Sequence, residues 1–132
     1  MSLKSLMIIK GIVCLVLGTL LLVVPEFTFS LFGLSISGAQ TFPAREYGAA
    51  MIGALCLTWY ARNAEESQAR RAIILDLFVY DAIGVVITLA GLLLGWFNLL
   101  GWGILIIYLF FAVGYGYFWF AKPVPAPRPG IA

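Results

Sequence analysis

The stretch RRAIILDLFVYDAIGVVITLAGLLLGW, residues 70–96, has the length and the apolar content of a membrane-spanning helix. Such a helix needs roughly 20 predominantly apolar residues. Two aspartates, Asp76 and Asp81, interrupt this one. An ionised side chain in the hydrocarbon core costs at least about 2.5 kcal/mol, so it is expected to face the bundle interior, to pair, or to mark a functional site. The two acids are therefore the first candidates for function.

The composition of the whole chain indicates the same class of protein. Of its 132 residues, 63% are hydrophobic and 11% are charged, and the mean hydropathy is +1.04. Soluble domains are roughly half apolar and about a quarter charged. The composition therefore predicts an integral membrane protein. At roughly 20 residues per crossing, the length leaves room for about four helices and for no separate soluble domain.

Prolines and polar residues divide the chain into four apolar segments within one domain, residues 1–121. The predicted all-α fold is a transmembrane four-helix bundle with helices at about 3–24, 44–62, 72–95 and 98–121. Pro25 and Pro43 bound the first connection, because proline does not continue a helix. We expect residues 25 to about 32 to form a short helix in the membrane interface, since this connection is rich in phenylalanine and leucine. Residues 122–132 predict a proline-rich, extended tail.

Basic residues are distributed unequally between the two ends of the predicted helices. Seven of them lie at the start of the chain, in the second connection or in the tail: Lys4, Lys10, Arg62, Arg70, Arg71, Lys122 and Arg128. The opposite side has only Arg45. The positive-inside rule then places both termini in the cytoplasm, as for a multi-pass protein of the cell inner (plasma) membrane. The net charge of +2 reflects this topology and does not indicate nucleic-acid binding.

Motifs of common catalytic and cofactor sites are absent from the sequence. It contains no histidine, and Cys14 and Cys56 stand alone without a C-x-x-C spacing. Histidine-based metal, haem or acid–base sites are therefore excluded. No cofactor, no metal and no catalytic residue is predicted, and an enzyme is not favoured.

Small residues recur at helical spacing in the predicted helices. This allows helix backbones to approach closely in lipid, where packing drives association. The pattern predicts contacts within the bundle and between copies of the protein. The candidate packing residues are Gly11, Gly18, Ala49, Gly53, Gly84, Ala112 and Gly116.

An intramembrane charge cluster is predicted from the depth of three side chains. At 1.5 Å per residue, Asp76 lies about 6 Å and Asp81 about 14 Å from the cytoplasmic end of the third predicted helix, and Lys10 lies about 10 Å deep in the first. Lys10 is thus expected to pair with one of these acids. The acids are about 140° apart around their helix. Asp81 shares a face with Gly84, whereas Asp76 is expected to extend toward Arg70, Arg71 or cytoplasmic water.

Two interpretations of Asp81 remain open at this point. It is either a structural ion-pair partner or a site of protonation linked to a substrate, since ionisable groups inside a membrane are functional candidates by default.

A second polar cluster, Arg45 and Glu46, begins the second predicted helix on the external side. Adjacent residues point about 100° apart on a helix, so the two do not face each other. Arg45 is either an interface anchor or a site for an anionic headgroup or substrate.

The order of the segments resembles a known group of proteins. The segments LLLVVPEFTFSLFGL (residues 20–34), AREYGAAMIGALCLTWYAR (44–62), ARRAIILDL (69–77) and NLLGWGILIIYLFFAVGYGYF (98–118) look like those of small bacterial four-helix membrane proteins, loosely similar to DoxX-like proteins. The resemblance implies a compact bundle in a bacterial inner membrane. It also implies, for some relatives, association with larger membrane oxidoreductase assemblies.

Two functions from different classes follow. The first is a non-enzymatic bundle that is homo-oligomeric or an accessory subunit of a larger membrane complex, and that holds a lipid or another hydrophobic ligand. Its partners are membrane lipid and either itself or other membrane proteins. The second is a small proton-coupled carrier of amphipathic molecules in which Asp81 changes protonation.

Overall fold

The computed structural model describes residues 1–121 and has five α-helices within them. They are α1 Leu3–Val23, α2 Pro25–Leu31, α3 Thr41–Ala61, α4 Gln68–Leu93 and α5 Leu100–Phe120. A single 3-10 turn, Gly38–Gln40, precedes α3. The prediction of an extended tail at 122–132 lies outside the described residues.

Three of the helices, α1, α4 and α5, are long and apolar enough to cross a membrane. They contain 21, 26 and 21 residues. At 1.5 Å per residue, even 21 residues extend about 31 Å, the thickness of a bilayer's hydrocarbon core. The described part of the chain therefore has the architecture of a small multi-pass membrane protein.

The helix boundaries differ from the predicted ones by a few residues, for local reasons. α3 begins at Thr41 rather than near residue 44, and Pro43 lies in its first turn, where the missing N–H has no helical partner to lose. α4 begins at Gln68 rather than near residue 72, because the Ser67 side chain accepts a hydrogen bond from the Arg70 N–H. This N-cap adds a polar first turn that a count of apolar residues leaves out.

The end of α4 is a glycine-terminated Schellman motif. Gly95 has a φ of 76°, a left-handed conformation that favours glycine. Its N–H donates to the Leu92 carbonyl, and the Trp96 N–H donates to the Gly91 carbonyl. These two bonds satisfy carbonyls that the helix itself leaves without partners. The chain then reverses into α5.

The long helices are arranged as two antiparallel pairs. α1 packs along α3 and α4 packs along α5, and the pairs meet where α1 contacts α5. The closest crossing joins Gly18 of α1 to Gly48 of α3. A Cβ at Gly48 would lie 2.7 Å from the backbone oxygen of Gly18 and 2.7 Å from the backbone nitrogen of Leu22. Neither neighbour is a movable side chain, so this crossing requires glycine.

Several of the predicted packing residues lie where helices or side chains meet. A Cβ at Gly18 would lie 3.0 Å from the Cβ of Met51, and one at Gly11 would lie 3.3 Å from Leu55. In the α4–α5 pair, a Cβ added at Gly84 would meet the Tyr108 ring, and a Cβ added at Gly116 would meet the Phe78 ring. Ala112 is half-buried, whereas Ala49 and Gly53 are exposed. The α3 residue at the close crossing is Gly48, one position before the predicted Ala49.

A hydrophobic core joins α1, α4 and α5 toward the end of the bundle that contains the N-terminus. Its fully or nearly fully buried side chains include Leu6, Met7, Ile74, Leu77, Phe111 and Tyr115. A smaller cluster of Cys14, Leu21 and Met51 joins α1 to α3. The two clusters leave space between α3 and α4.

The segment predicted to form a short helix at residues 25 to about 32 is present as α2. Pro25 occupies its first turn, where proline is favoured. The Asn98 side-chain amide donates to the Leu31 carbonyl at 2.9 Å, and the Asn98 N–H donates to the Phe32 carbonyl at 3.0 Å. The end of α2 is thereby attached to the connection between α4 and α5.

Candidate functional site: a charged cavity between three helices

An ion pair joins the two halves of the bundle near its middle. Lys10 Nζ of α1 lies 2.5 Å from Asp81 Oδ1 of α4. The side chain of Lys10 is 5% exposed and that of Asp81 is 0% exposed. Of the two acids that the sequence offers to Lys10, the structure brings Asp81 to it. Both charges are taken out of solvent together, so each depends on the other for compensation.

Aromatic rings surround the ammonium group of this pair. Lys10 Nζ lies 4.5 Å from the centre of the Phe111 ring and 4.9 Å from the centre of the Tyr80 ring. Cations within about 6 Å of a ring face are attracted by its electron-rich centre. The ammonium group of Lys10 is therefore held by the Asp81 carboxylate and by two aromatic rings.

Two polar atoms near the pair have no hydrogen-bond partner among residues 1–121. They are Asp81 Oδ2 and Tyr115 Oη, and both are buried. Only one carboxylate oxygen of Asp81 is therefore bonded to Lys10.

A cavity of about 200 Å³ opens beside this ion pair. α1 forms its floor, and α3 and α4 form its two walls. Three of its lining residues, Ala50, Asp76 and Tyr80, are exposed, so the cavity opens outward between α3 and α4. Its lining residues are Lys10, Cys14, Tyr47, Ala50, Met51, Ala54, Asp76, Leu77 and Tyr80.

Three tyrosine hydroxyls meet at one side of the cavity. The Tyr47 hydroxyl of α3 is hydrogen-bonded to the Tyr80 hydroxyl of α4 and, at 2.7 Å, to the Tyr108 hydroxyl of α5. This cluster is the polar bridge from α3 to the α4–α5 pair. Neither Tyr47 nor Tyr108 is among the site residues predicted from the sequence. A usable signal was present, because a phenol inside an apolar helix requires a hydrogen-bond partner.

The two acids of α4 have different surroundings, as their helical phase predicts. Asp81 is buried, on the same face as Gly84 and Thr88. Asp76 is exposed and lines the cavity. Of the two arginines expected near Asp76, Arg71 directs its guanidinium to the end of α5.

Arg71 binds the end of α5. Its Nη1 donates to the Phe118 carbonyl at 3.0 Å and its Nη2 to the Trp119 carbonyl at 2.8 Å. The guanidinium also stacks on the Trp119 ring, 4.3 Å from its centre. A cation at a helix C-terminus compensates both its unbonded carbonyls and its dipole. Arg71 thus attaches the start of α4 to the end of α5.

Arg45 has a similar role at the opposite end of the bundle. Its Nη1 donates to the Leu22 carbonyl at 2.5 Å, in the last turn of α1. Glu46 follows it on α3 and is exposed. The Arg45 side chain therefore stabilises a helix end. Its predicted roles as an interface anchor or as an anion site remain predictions.

Chemically, this arrangement is suited to binding. The cavity is lined by Lys10, whose charge Asp81 compensates, and by one carboxylate, phenols and apolar side chains. Within residues 1–121, no three cysteine, aspartate or glutamate side chains are grouped as ligands of a metal ion would be.

Comparison of the chain with models of protein families, with curated proteins and with solved structures finds no match in any of the three.

Proposed function

We propose that this protein is a small non-enzymatic membrane protein whose bundle holds a hydrophobic ligand, such as a lipid, in the cavity between α1, α3 and α4. The observation that carries the proposal is the cavity itself. It lies along spanning helices, opens sideways between α3 and α4, and combines polar groups with apolar walls, as ligand sites do. A membrane lipid or another amphipathic molecule has immediate access to an opening of this kind.

A shallow, open groove on the surface of α3 and α4 also supports this proposal. It has a volume of about 520 Å³ and is lined by Gly53, Cys56, Leu57, Tyr60, Ala61 and Ile73. These residues belong to α3 and α4, as do most of those that line the cavity. Apolar side chains predominate among them, so the groove is suited to a hydrocarbon chain.

The proposal includes α3 as a fourth crossing, with both chain ends in the cytoplasm. α3 has 21 residues, as many as α1 and α5, and it packs along α1. Its outward side chains Phe42, Leu57 and Tyr60 are exposed and suit lipid. Arg45 and Glu46 lower its hydropathy only in its first two turns.

The topology is tested by labelling an introduced cysteine. Ser67 is exposed just before α4. In a protein whose two native cysteines are replaced by serine, Ser67→Cys is expected to react with an impermeant maleimide only after the cytoplasmic face is opened. Reaction from the outside of intact cells would overturn the orientation.

Ligand binding is tested by filling the cavity. Ala54 lines it, so Ala54→Trp should displace a lipid-sized ligand. Val113 of α5 is 69% exposed, and Val113→Trp is the matched control. Native mass spectrometry after extraction in mild detergent should find a co-purifying hydrophobic molecule in the unchanged protein and the control, but not in Ala54→Trp. Equal retention in both variants would contradict the proposal.

We also propose that the protein associates with itself or is an accessory subunit of a larger membrane complex. The resemblance to small bacterial four-helix membrane proteins implies the second of these roles. The exposed, small Ala49 and Gly53 on α3 support the proposal, because such residues allow close contact between helices in lipid. The mass of the protein in lipid nanodiscs, measured after detergent has been removed, tests this proposal because it shows how many protein copies or other subunits each nanodisc contains.

The alternative function is a proton-coupled carrier that uses Asp81. The observation in its favour is that the fully buried Asp81 binds Lys10 through one oxygen, and that Lys10 also lines the cavity. A proton on Asp81 would release Lys10 and change the charge that a ligand meets. The direct contact between the two side chains favours the structural role.

A further inference from the structure

The charges around the cavity do not balance. Lys10 is compensated by Asp81 at 2.5 Å, and this is the only ion pair within residues 1–121. Asp76 lines the same cavity and brings a second carboxylate without a second base. The two charged residues that line the cavity, counted together with the buried Asp81 bonded to Lys10, therefore have a formal charge of −1.

The position of Asp76 along α4 makes this charge costly. Arg71 lies at the end of the bundle that we propose is cytoplasmic, since it binds carbonyls in the last turn of α5. Asp76 is five residues further along α4, about 7.5 Å deeper at 1.5 Å per residue. An uncompensated carboxylate within a membrane span needs a partner. The partner that suits an open cavity is a cation that enters it.

Aromatic side chains in the same cavity favour an organic cation. The rings of Tyr47 and Tyr80 both line it, and they stack with a centroid separation of 6.5 Å. The Tyr80 ring already lies 4.9 Å from one ammonium group, that of Lys10. Aromatic faces attract alkylammonium groups strongly where water is excluded.

The apolar groove provides space for a tail attached to such a headgroup. On α4, Ile73 of the groove lies three and four residues before Asp76 and Leu77 of the cavity. Residues at this spacing lie on one side of a helix. The groove and the cavity therefore form consecutive parts of one crevice between α3 and α4.

We infer that this crevice binds an amphipathic cation, an alkylamine or a quaternary ammonium compound, with its charged head beside Asp76 and its hydrocarbon tail in the groove. This inference rests on the proposed function, because it names the class of ligand that the proposed cavity selects. It assigns Asp76 as the specificity-determining residue.

The test uses two photoreactive probes that differ only in headgroup. Both have the same ten-carbon chain with a diazirine near its end. One carries a trimethylammonium head and the other a sulfonate head. The full-length protein is embedded in nanodiscs of phosphatidylcholine, whose headgroups have no net charge. Labelling is normalised to the amount of probe measured in the nanodisc, and the labelled residues are mapped by mass spectrometry.

The cationic probe is expected to label groove residues such as Leu57 and Ile73 about tenfold more than the anionic probe, which corresponds to about 1.4 kcal/mol. Asp76→Asn should reduce this preference to about one. Glu46→Gln is the matched control, because Glu46 is an exposed carboxylate outside the cavity. Its preference should equal that of the unchanged protein.

Three other outcomes overturn different parts of the reasoning. Equal labelling by both probes would refute selection of cations and leave the proposed ligand cavity standing. Absence of labelling in the crevice by either probe would refute both proposals. A cationic preference that persists in Asp76→Asn would refute the assignment of Asp76. Circular dichroism melts of each variant show that the comparison is made on folded protein.

Discussion

Replacing Lys10 by methionine should destabilise the bundle, and the further replacement Asp81→Asn should restore most of the loss. Counted over the whole residue, Lys10 is 4% exposed and Asp81 is 0% exposed. Lys10 Nζ and Asp81 Oδ1 are in direct contact at 2.5 Å. Lys10→Met keeps a long unbranched side chain but removes the ammonium. It leaves the Asp81 carboxylate buried without its partner.

The size of the effect follows from this burial. Removing one member of a buried pair costs about 3 to 5 kcal/mol, whereas replacing both members by neutral groups is often nearly neutral. We therefore expect Lys10→Met to lower the free energy of unfolding by about 3 to 5 kcal/mol and the double variant to lower it by about 1 kcal/mol. The second replacement therefore restores about 2 to 4 kcal/mol. The coupling energy between the two positions is obtained by also subtracting the loss measured for the single variant Asp81→Asn.

Reversible unfolding in mixed micelles, monitored by circular dichroism, measures these differences. Lys10→Met combined with Asp76→Asn is the matched double variant. Any change that Asp76→Asn makes should be the same with and without Lys10→Met, because Asp76 forms no ion pair with Lys10. Lys4→Met should leave stability unchanged, since Lys4 is exposed. Additive losses in the Lys10→Met, Asp81→Asn variant would refute the ion pair as a source of stability.

Three further predictions concern single side chains. Gly48→Ala should separate α1 from α3 and lower the free energy of unfolding by about 1 to 3 kcal/mol in the same assay. Gly53→Ala, with no atom within 4 Å of the added Cβ, should not lower it. Equal losses of stability in the two variants would exclude the close crossing. Tyr47→Phe should lower the free energy of unfolding by about 1 to 3 kcal/mol, because it removes the hydroxyl that is hydrogen-bonded to two other phenols. Tyr60→Phe should not change stability, because Tyr60 is 82% exposed. If Asp81 is a structural partner, Asp81→Asn should lower the melting temperature and leave binding of the cationic probe independent of pH between about 5 and 8. If Asp81→Asn instead removes a pH-dependent binding signal without lowering stability, the protein is the proton-coupled carrier.

Much of the fold could be predicted from local features of the chain. The four apolar segments and the short helix after Pro25 follow from runs of apolar residues and from prolines. Helical phase separates Asp81, on a buried face, from Asp76, on an exposed one. Periodicity within one helix is a property of its own sequence, so these features do not depend on which helix lies next to it.

The site was less predictable, because it depends on how helices are paired. Depth along the membrane allows Lys10 to reach either acid, and only the rotation of α1 against α4 brings it to Asp81. The hydroxyl cluster of Tyr47, Tyr80 and Tyr108 joins three helices whose distances and tilts cannot be derived from spacing. Gly48, rather than Ala49, lies at the crossing for the same reason.

By itself, the sequence determined the membrane character of this protein, its division into helices and the presence of charges that need partners inside the bundle. Those properties follow from the free-energy cost of placing polar groups in hydrocarbon. This cost depends on the composition of each segment and not on its neighbours. Only the tertiary structure decided that Lys10 is neutralised by Asp81 and that Asp76 remains at the wall of a cavity. The reason is that charge compensation acts over a few ångströms between different helices, and this distance is set by their packing.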